Sequence, residues 1–201
     1  MNAADTLGWQ VGDLIGIAGS SYSHDQQEIV QIKTISNGVI TFDTGLSYRH
    51  YGSSDATKYL IHGIDLRSEV VLLSRNIRIK PVDDASVPWG CQTLTTDLIV
   101  PSMTPLIGKS IFSYVEFSKC GQYDTQKAAV RFFNSSNVDS ESVVTQCAIH
   151  SGGAAGIDFD KSKNLVVNFT NVFKTTQFGI KVKGSDNWKL DNNRFLGVKQ
   201  R

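Results

Sequence analysis

The chain has 201 residues, with 20 Lys+Arg against 19 Asp+Glu, and its net charge of +1 offers no basic surplus to grip a nucleic acid. Hydrophobic residues at 40% and charged residues at 19% exclude a disordered tail and are enough to bury a core. No run of about 18 apolar residues exists, so no membrane-spanning helix is encoded in this stretch.

The 17 Gly, together with frequent Val, Ile, Thr, Ser and Asn, favour strands and tight turns. Met1–Asp5 lacks the basic patch and apolar run of a signal peptide. Residues 6 to about 66 read as antiparallel β. Val11-Gly12-Asp13 is a turn signal, Leu14–Ala18 an apolar strand and Glu28–Ile32 a second strand. Asn37-Gly38, between Ile32–Ile35 and Val39–Phe42, is a hairpin signal, because both residues tolerate the positive φ of a type I′ turn.

The second half repeats itself. Ala129-Val130-Arg131-Phe132, Gly156-Ile157-Asp158-Phe159 and Gly179-Ile180-Lys181-Val182 superpose, each reading small, apolar, charged, apolar. A second series runs through Phe117, Ile149, Phe173 and Phe195, and a third pairs Asn164–Val167 with Asn187–Leu190; Asn76–Ile79 has the same look. A period in the low twenties, holding three short strands and no helical pattern, means a solenoid whose turns stack. The expected fold is all-β: a right-handed parallel β-helix over residues 67–201, preceded by a small antiparallel β region over residues 1–66. Val130, Ile157 and Ile180 are expected to stack inside, as are Phe132, Phe159 and Val182, with Arg131, Asp158 and Lys181 lined up outside. Asn171 and Asn193 fall where corners stack amides, with Cys147 in the same file. The chain stops after a coil position without a polar cap, so it reads as a piece of a longer, open-ended β-helix.

Several strings resemble a known family. Trp9–Ala18, Tyr22-Ser23, Gln27-Glu28 and Leu46–Gly52 are similar to the later part of the eight-glycine domain of fibrocystins and of the cell-surface hyaluronidases related to them. Ile64–Ile77 resembles that family's link into its β-helix, and Trp89-Gly90-Cys91, Val115–Gln122, Lys127–Phe132 and Cys147–Gly152 continue the match in order. The fibrocystin and fibrocystin-like branch is the nearer. The resemblance makes residues 1–66 the C-terminal part of an eight-glycine-type domain. It implies a structural or interaction segment of a membrane-anchored ectodomain, extracellular or at the ciliary surface. The alternative, from the hyaluronidase branch, is a polysaccharide-degrading enzyme. Partners expected on this basis are other protein chains along the β-helix face, or a polysaccharide, with no nucleic acid and with membrane contact only through parts of the protein outside this chain.

A polysaccharide-cleaving site needs a carboxylate acid or base and a cation for a sugar carboxylate. The candidates are Asp65 with Arg67, and His50, with Glu28 and Asp13 upstream. The stronger reading is structural: on a strand, Asp65, Arg67 and Glu69 share one face by period two and form an ion-pair ladder. His24, His50, His62 and His150 have no metal-site spacing, and no cofactor is expected. Ser151–Gly156 is Gly-rich but precedes a strand, so it reads as a loop rather than a phosphate cradle. Asn134 and Asn168 head Asn-x-Ser/Thr triplets, candidates for glycosylation in a secretory protein. Cys91 and Cys120, both in family-like strings, are candidates for a disulfide if the chain is secreted, with buried free thiols as the alternative.

Overall fold

The structure is a computed structural model that describes residues 8–23, 25–82, 90–101 and 103–199. His24, Trp89 and the Met1–Asp5 segment, considered above, lie outside the described residues. The chain divides into two compact units, Met1–Ser74 and Arg75–Arg201.

The first unit is built on the antiparallel sheet β3-β2-β1-β6, from β1 (Leu14–Ile17), β2 (Glu28–Ser36), β3 (Val39–Phe42) and β6 (Val70–Leu72). Asn37 and Gly38 join β2 to β3 with φ of 50° and 75°, the two positive values a type I′ turn requires. Ile15, Ile17, Val30 and Ile32 form the buried face. Between β3 and β6 lie a single helical turn α1 (Ala56–Tyr59), capped by the Asp55 side chain, and the two-residue strands β4 (Leu60–Ile61) and β5 (Ile64–Asp65). The sequence boundary at 66/67 therefore falls short of the division at Ser74/Arg75. Pairing of Val70–Leu72 with β1 keeps that segment in the first unit, a long-range partner that local pattern does not reveal.

The second unit is a parallel β-helix. Its strands are β7 (Ile77–Ile79), β8 (Thr93–Thr95), β9 (Ile111–Ser113), β10 (Val115–Ser118), β11 (Val130–Phe133), β12 (Ser142–Thr145), β13 (Ala148–His150), β14 (Ile157–Asp160), β15 (Lys163–Asn168), β16 (Asn171–Phe173), β17 (Ile180–Lys183), β18 (Asp186–Asp191) and β19 (Arg194–Leu196). They fall into three parallel sheets, β7-β10-β13-β16-β19, β8-β11-β14-β17 and β9-β12-β15-β18, so each coil gives one strand to each sheet. Val130, Ile157 and Ile180 stand in register, as do Phe132, Phe159 and Val182. Phe132 and Phe159 pack edge to face with centroids 6.0 Å apart. Val130, Phe132, Ile157 and Phe159 are fully buried, each worth about 1.5–3 kcal/mol before the cost of ordering it, while Ile180 and Val182 are half-buried.

The corners explain why the coils repeat so closely. Tyr114, Gln146, Phe169 and Asn192 all have φ near +50°, and their amides carry the ladder onward: Tyr114 N–H donates to Thr145 O, Gln146 to Asn168 O and Phe169 to Asp191 O. The following residue then links coils. Cys147 N–H donates to Thr170 Oγ1 at 3.4 Å, and Thr170 N–H to Asn193 Oδ1 at 3.0 Å. A second corner does the same, with Ser135 N–H donating to Ser162 Oγ and Ser162 N–H to Ser185 Oγ. Left-handed backbone at a non-glycine residue costs about 1–2 kcal/mol, and continued backbone pairing offsets it. Gly153 serves a tighter place, where an added Cβ would lie 2.9 Å from Gly121 O.

Three readings of the repeat change. The inward file of the first sheet is Phe117, Ile149, Val172 and Phe195, so Phe173 is one residue out of it. Phe173 points outward but is fully buried, which is why its hydrophobicity misleads. By the same shift the file beside Asn193 is Thr170 and Cys147, while Asn171 pairs with Ala148 and Arg194. Asn76–Ile79 belongs to the first sheet, Ile77 opposite Val115, not with Asn164–Val167. The asparagine stack lies elsewhere: Asn187 Nδ2 donates to Asn164 Oδ1 at 2.8 Å, and Asn164 Nδ2 to Asn137 O at 2.7 Å.

Candidate functional site

In the first unit Asp65 and Arg67 come together, but by a turn rather than by strand alternation. Arg67 N–H donates to Asp65 Oδ1 at 2.9 Å, and the guanidinium folds back with Nη2 2.6 Å from Oδ2. The guanidinium also stacks 4.0 Å from the Tyr59 ring centre. Hydrogen bonds from Arg67 hold the Asp65 carboxyl below the usual aspartate range. Both side chains are 45% exposed. A carboxylate held ionised with both oxygens engaged is a poor proton donor and a good turn clip.

His50 sits apart from that pair, between two acceptors. Nδ1 is 2.8 Å from Ala18 O, and because a carbonyl only accepts, Nδ1 carries a proton. Nε2 is 2.8 Å from Glu28 Oε2. Glu28 also accepts from Ser47 N–H at 2.7 Å and Tyr48 N–H at 3.0 Å. Burial pushes the Glu28 pKa up, but the Ser47, His50 and Tyr48 hydrogen bonds outweigh it and leave it lowered.

In the second unit the structure reveals two buried ionic groups that strand pattern alone does not mark. Glu116 lies between the core residues Val115 and Phe117, faces away from the coil interior, and is nevertheless only 2% exposed. It binds His150 Nε2 through Oε1 at 3.2 Å, and accepts at Oε2 from Arg78 Nε at 2.9 Å and Arg75 N–H at 3.1 Å. Burial raises its pKa; the His150 and Arg75 hydrogen bonds and the Arg78 charge reverse that and leave it lowered. His150, at the Gly-rich corner, thus anchors neighbouring coils. Parallel register puts Ser118 opposite His150 and Glu116 opposite Ala148, so the pair becomes visible only once coils are aligned.

Arg131, Asp158 and Lys181 do form one file, but Asp158 is buried, not outside as expected. Lys181 Nζ donates to Gln126 Oε1 and Gln177 Nε2 to Thr125 O, so the segment between β10 and β11 bonds to β17 and the corner before it. Arg131 Nε reaches Asp158 Oδ2 at 3.1 Å, while Oδ1 is buried without a hydrogen bond. Burial pushes the Asp158 pKa up despite Lys181 and Arg131.

Cys91 and Cys120 are joined by a disulfide with Cα atoms 4.3 Å apart, and Cys147 is a buried free thiol. Asn134 is exposed at its corner; Asn168, half-buried, lies on the outer surface of β15, and Thr170 is fully buried. Among the described residues no three His, Cys, Asp or Glu converge on a metal position. No helix of the described residues is long and apolar enough to cross a membrane.

Residues 106–200 match the family model described as "Right handed beta helix region", which gives the coils their hand. Mouse fibrocystin is 29% identical over 195 residues, covering 96% of this chain, and human fibrocystin-L is 28% identical over 215 residues, covering 98%. The chain is fibrocystin-like. A G8 domain-containing protein of Dictyostelium discoideum is 26% identical over 149 residues, 72% of the chain. This fibrocystin-like chain spans only 4% of the mouse protein and 5% of the human one. The fibrocystin match extends over both of its units.

Proposed function

We propose that this fibrocystin-like chain is a rigid scaffold segment of an extracellular or ciliary-surface protein, used for assembly with other protein chains. The observation that carries the reading is the outer surface of the sheet β9-β12-β15-β18. There Ile111, Val143 and Val166 make an aliphatic file that ends in Lys189, and Ser113, Thr145, Asn168 and Asp191 run beside it. Ile111 is 62% exposed and Val143 and Val166 are half-buried. Parallel strands bonded coil to coil hold such a file straight, so a partner chain meets it without an ordering cost. The Cys91–Cys120 disulfide fits an oxidising compartment, as do the Asn134 and Asn168 triplets.

The full-length protein displayed on cells tests this. Cross-linking and mass spectrometry are expected to find inter-chain links at Lys163 and Lys189, and Val166→Asp is expected to abolish them. Links retained in Val166→Asp would rule out this face, and no inter-chain links at all in the parent protein would overturn the scaffold reading; shortening of hyaluronan chains that is lost in Asp65→Asn would replace it with a hydrolase.

A further inference from the structure

Between β8 and β9 the chain leaves the coil in a loop that carries no charged side chain from Leu98 to Gly108. Leu98 and Leu106 exchange backbone hydrogen bonds of 2.9 and 3.0 Å, and Met103 N–H donates to Val100 O at 3.0 Å, so the loop is an ordered projection. Yet Leu98, Ile99, Met103, Leu106 and Ile107 are between 49% and 73% exposed. Leu98 and Ile99 are consecutive, and an extended chain points consecutive side chains to opposite sides. The apolar surface therefore runs round the loop. An exposed patch of that kind marks a surface that something covers, or else an aggregation hazard.

The base of the loop rests on an Asn-x-Ser triplet, all three residues of which touch it. Asn134 O accepts from Asp97 N–H at 3.3 Å, and Ser135 Oγ donates to Gly108 O at 2.7 Å. Asp97 Oδ2 accepts from Ser136 N–H at 2.8 Å and from Ser136 Oγ at 2.5 Å, while its Oδ1 accepts from Gly108 N–H at 2.8 Å. Asn134 itself is exposed, at the corner between β11 and β12. The Asn168 triplet is built differently. Thr170 is fully buried with its Oγ1 accepting from Cys147 N–H, and Asn168 Oδ1 is buried without a hydrogen bond.

We propose that Asn134 carries an N-linked glycan that covers the apolar loop Leu98–Ile107, and that Asn168 carries none. The Asn134 side-chain nitrogen forms a bond to the anomeric carbon of an oligosaccharide held on a lipid diphosphate. The carbon–oxygen bond to the diphosphate breaks, the diphosphate leaves with the bonding pair, and the amide gives up one proton. Such a glycan is added in the secretory pathway, so the proposal rests on the extracellular reading above. In the folded chain the C–H faces of the sugar rings lie on Leu98, Ile99 and Met103 and the hydroxyls face water. A glycan at the Asn134 corner leaves the outer surface of β9-β12-β15-β18 open, whereas one on Asn168 would stand on it.

Glycopeptide mass spectrometry of the full-length protein displayed on cells is expected to find Asn134 occupied and Asn168 bare. Met103 reports the cover. Its oxidation to the sulfoxide by dilute peroxide is expected to quicken about three-fold or more when Asn134→Gln removes the glycan, because oxidation follows exposure. Gln suits the positive φ of position 134 less well than Asn, so a second measurement keeps the sequence intact. Trimming the glycans of the folded protein to their first sugar with an endoglycosidase is expected to give the same rise. Asn134 bare, or Asn168 occupied in its place, in protein that reaches the cell surface overturns the proposal and leaves the extracellular reading standing. Protein that never reaches the surface overturns both. An unchanged Met103 rate after trimming, as a partner chain seated on the loop would give, also overturns the proposal.

Discussion

Two buried carboxylates in the β-helix experience opposite environments. Glu116 has three partners and a lowered pKa; Asp158 has one oxygen unbonded and a raised one. A lowered folded pKa gives stability that is present above the carboxyl's ordinary value and lost as pH falls through the folded one. A raised folded pKa does the reverse: its contribution is present below the ordinary value and lost as pH rises through the folded one. Glu116→Gln is therefore expected to cost about 1–3 kcal/mol near neutral pH, with the cost shrinking in acid. Asp158→Asn is expected to stay within about 1 kcal/mol of the parent at neutral pH, because it removes an incompletely satisfied charge. Urea unfolding at about pH 7 and about pH 4 separates the two; a larger loss for Asp158→Asn at neutral pH would contradict this account. Neither burial is legible in the sequence, since Glu116 and Asp158 occupy positions that strand alternation assigns to solvent. A segment earlier in the chain bonds to Lys181, the neighbour of Asp158 in its file, and to the corner before β17.

At the scale of strands and corners, the stacking of Val130, Ile157 and Ile180 was readable because the second sheet keeps the pattern small, apolar, charged, apolar in each coil. The first sheet was harder. Val172 and Phe173 are both apolar and both buried, so composition could not choose between registers, and a one-residue error exchanges inside for outside. The corners were not legible either: Tyr114, Gln146, Phe169 and Asn192 share a left-handed backbone but no chemical type. Their signal is the residue that follows, where Thr170 and Asn193 place an oxygen under the amide of the coil before. In a stacked solenoid a central coil has neighbours on both sides. Ile157→Ala, in β14 between β11 and β17, is expected to cost about 3–4 kcal/mol, and Val182→Ala, in the half-buried β17, less than half as much. Equal losses in denaturant unfolding would argue against that register.

For the molecule as a whole, the Cys91–Cys120 disulfide closes a sequence separation of 29, from before β8 to after β10. Loop-closure entropy puts its contribution at about 3–4 kcal/mol. Reduction, or the Cys91→Ser/Cys120→Ser pair, is expected to lower the melting temperature of the β-helix by several degrees. An unchanged transition under reducing conditions would mean the bridge adds nothing. The hairpin at Asn37-Gly38, the repeat of the coils and the family strings were all local or periodic, and periodicity is what a single sequence displays directly. By itself the sequence determined an antiparallel β region followed by a parallel β-helix of fibrocystin-like kind. Only the tertiary structure decided the join at Ser74/Arg75, the clip formed by Asp65 and Arg67, the Glu28–His50 fastening and the buried ionic groups. Each of these depends on where a chain reversal or a distant strand delivers a partner, which local pattern does not specify.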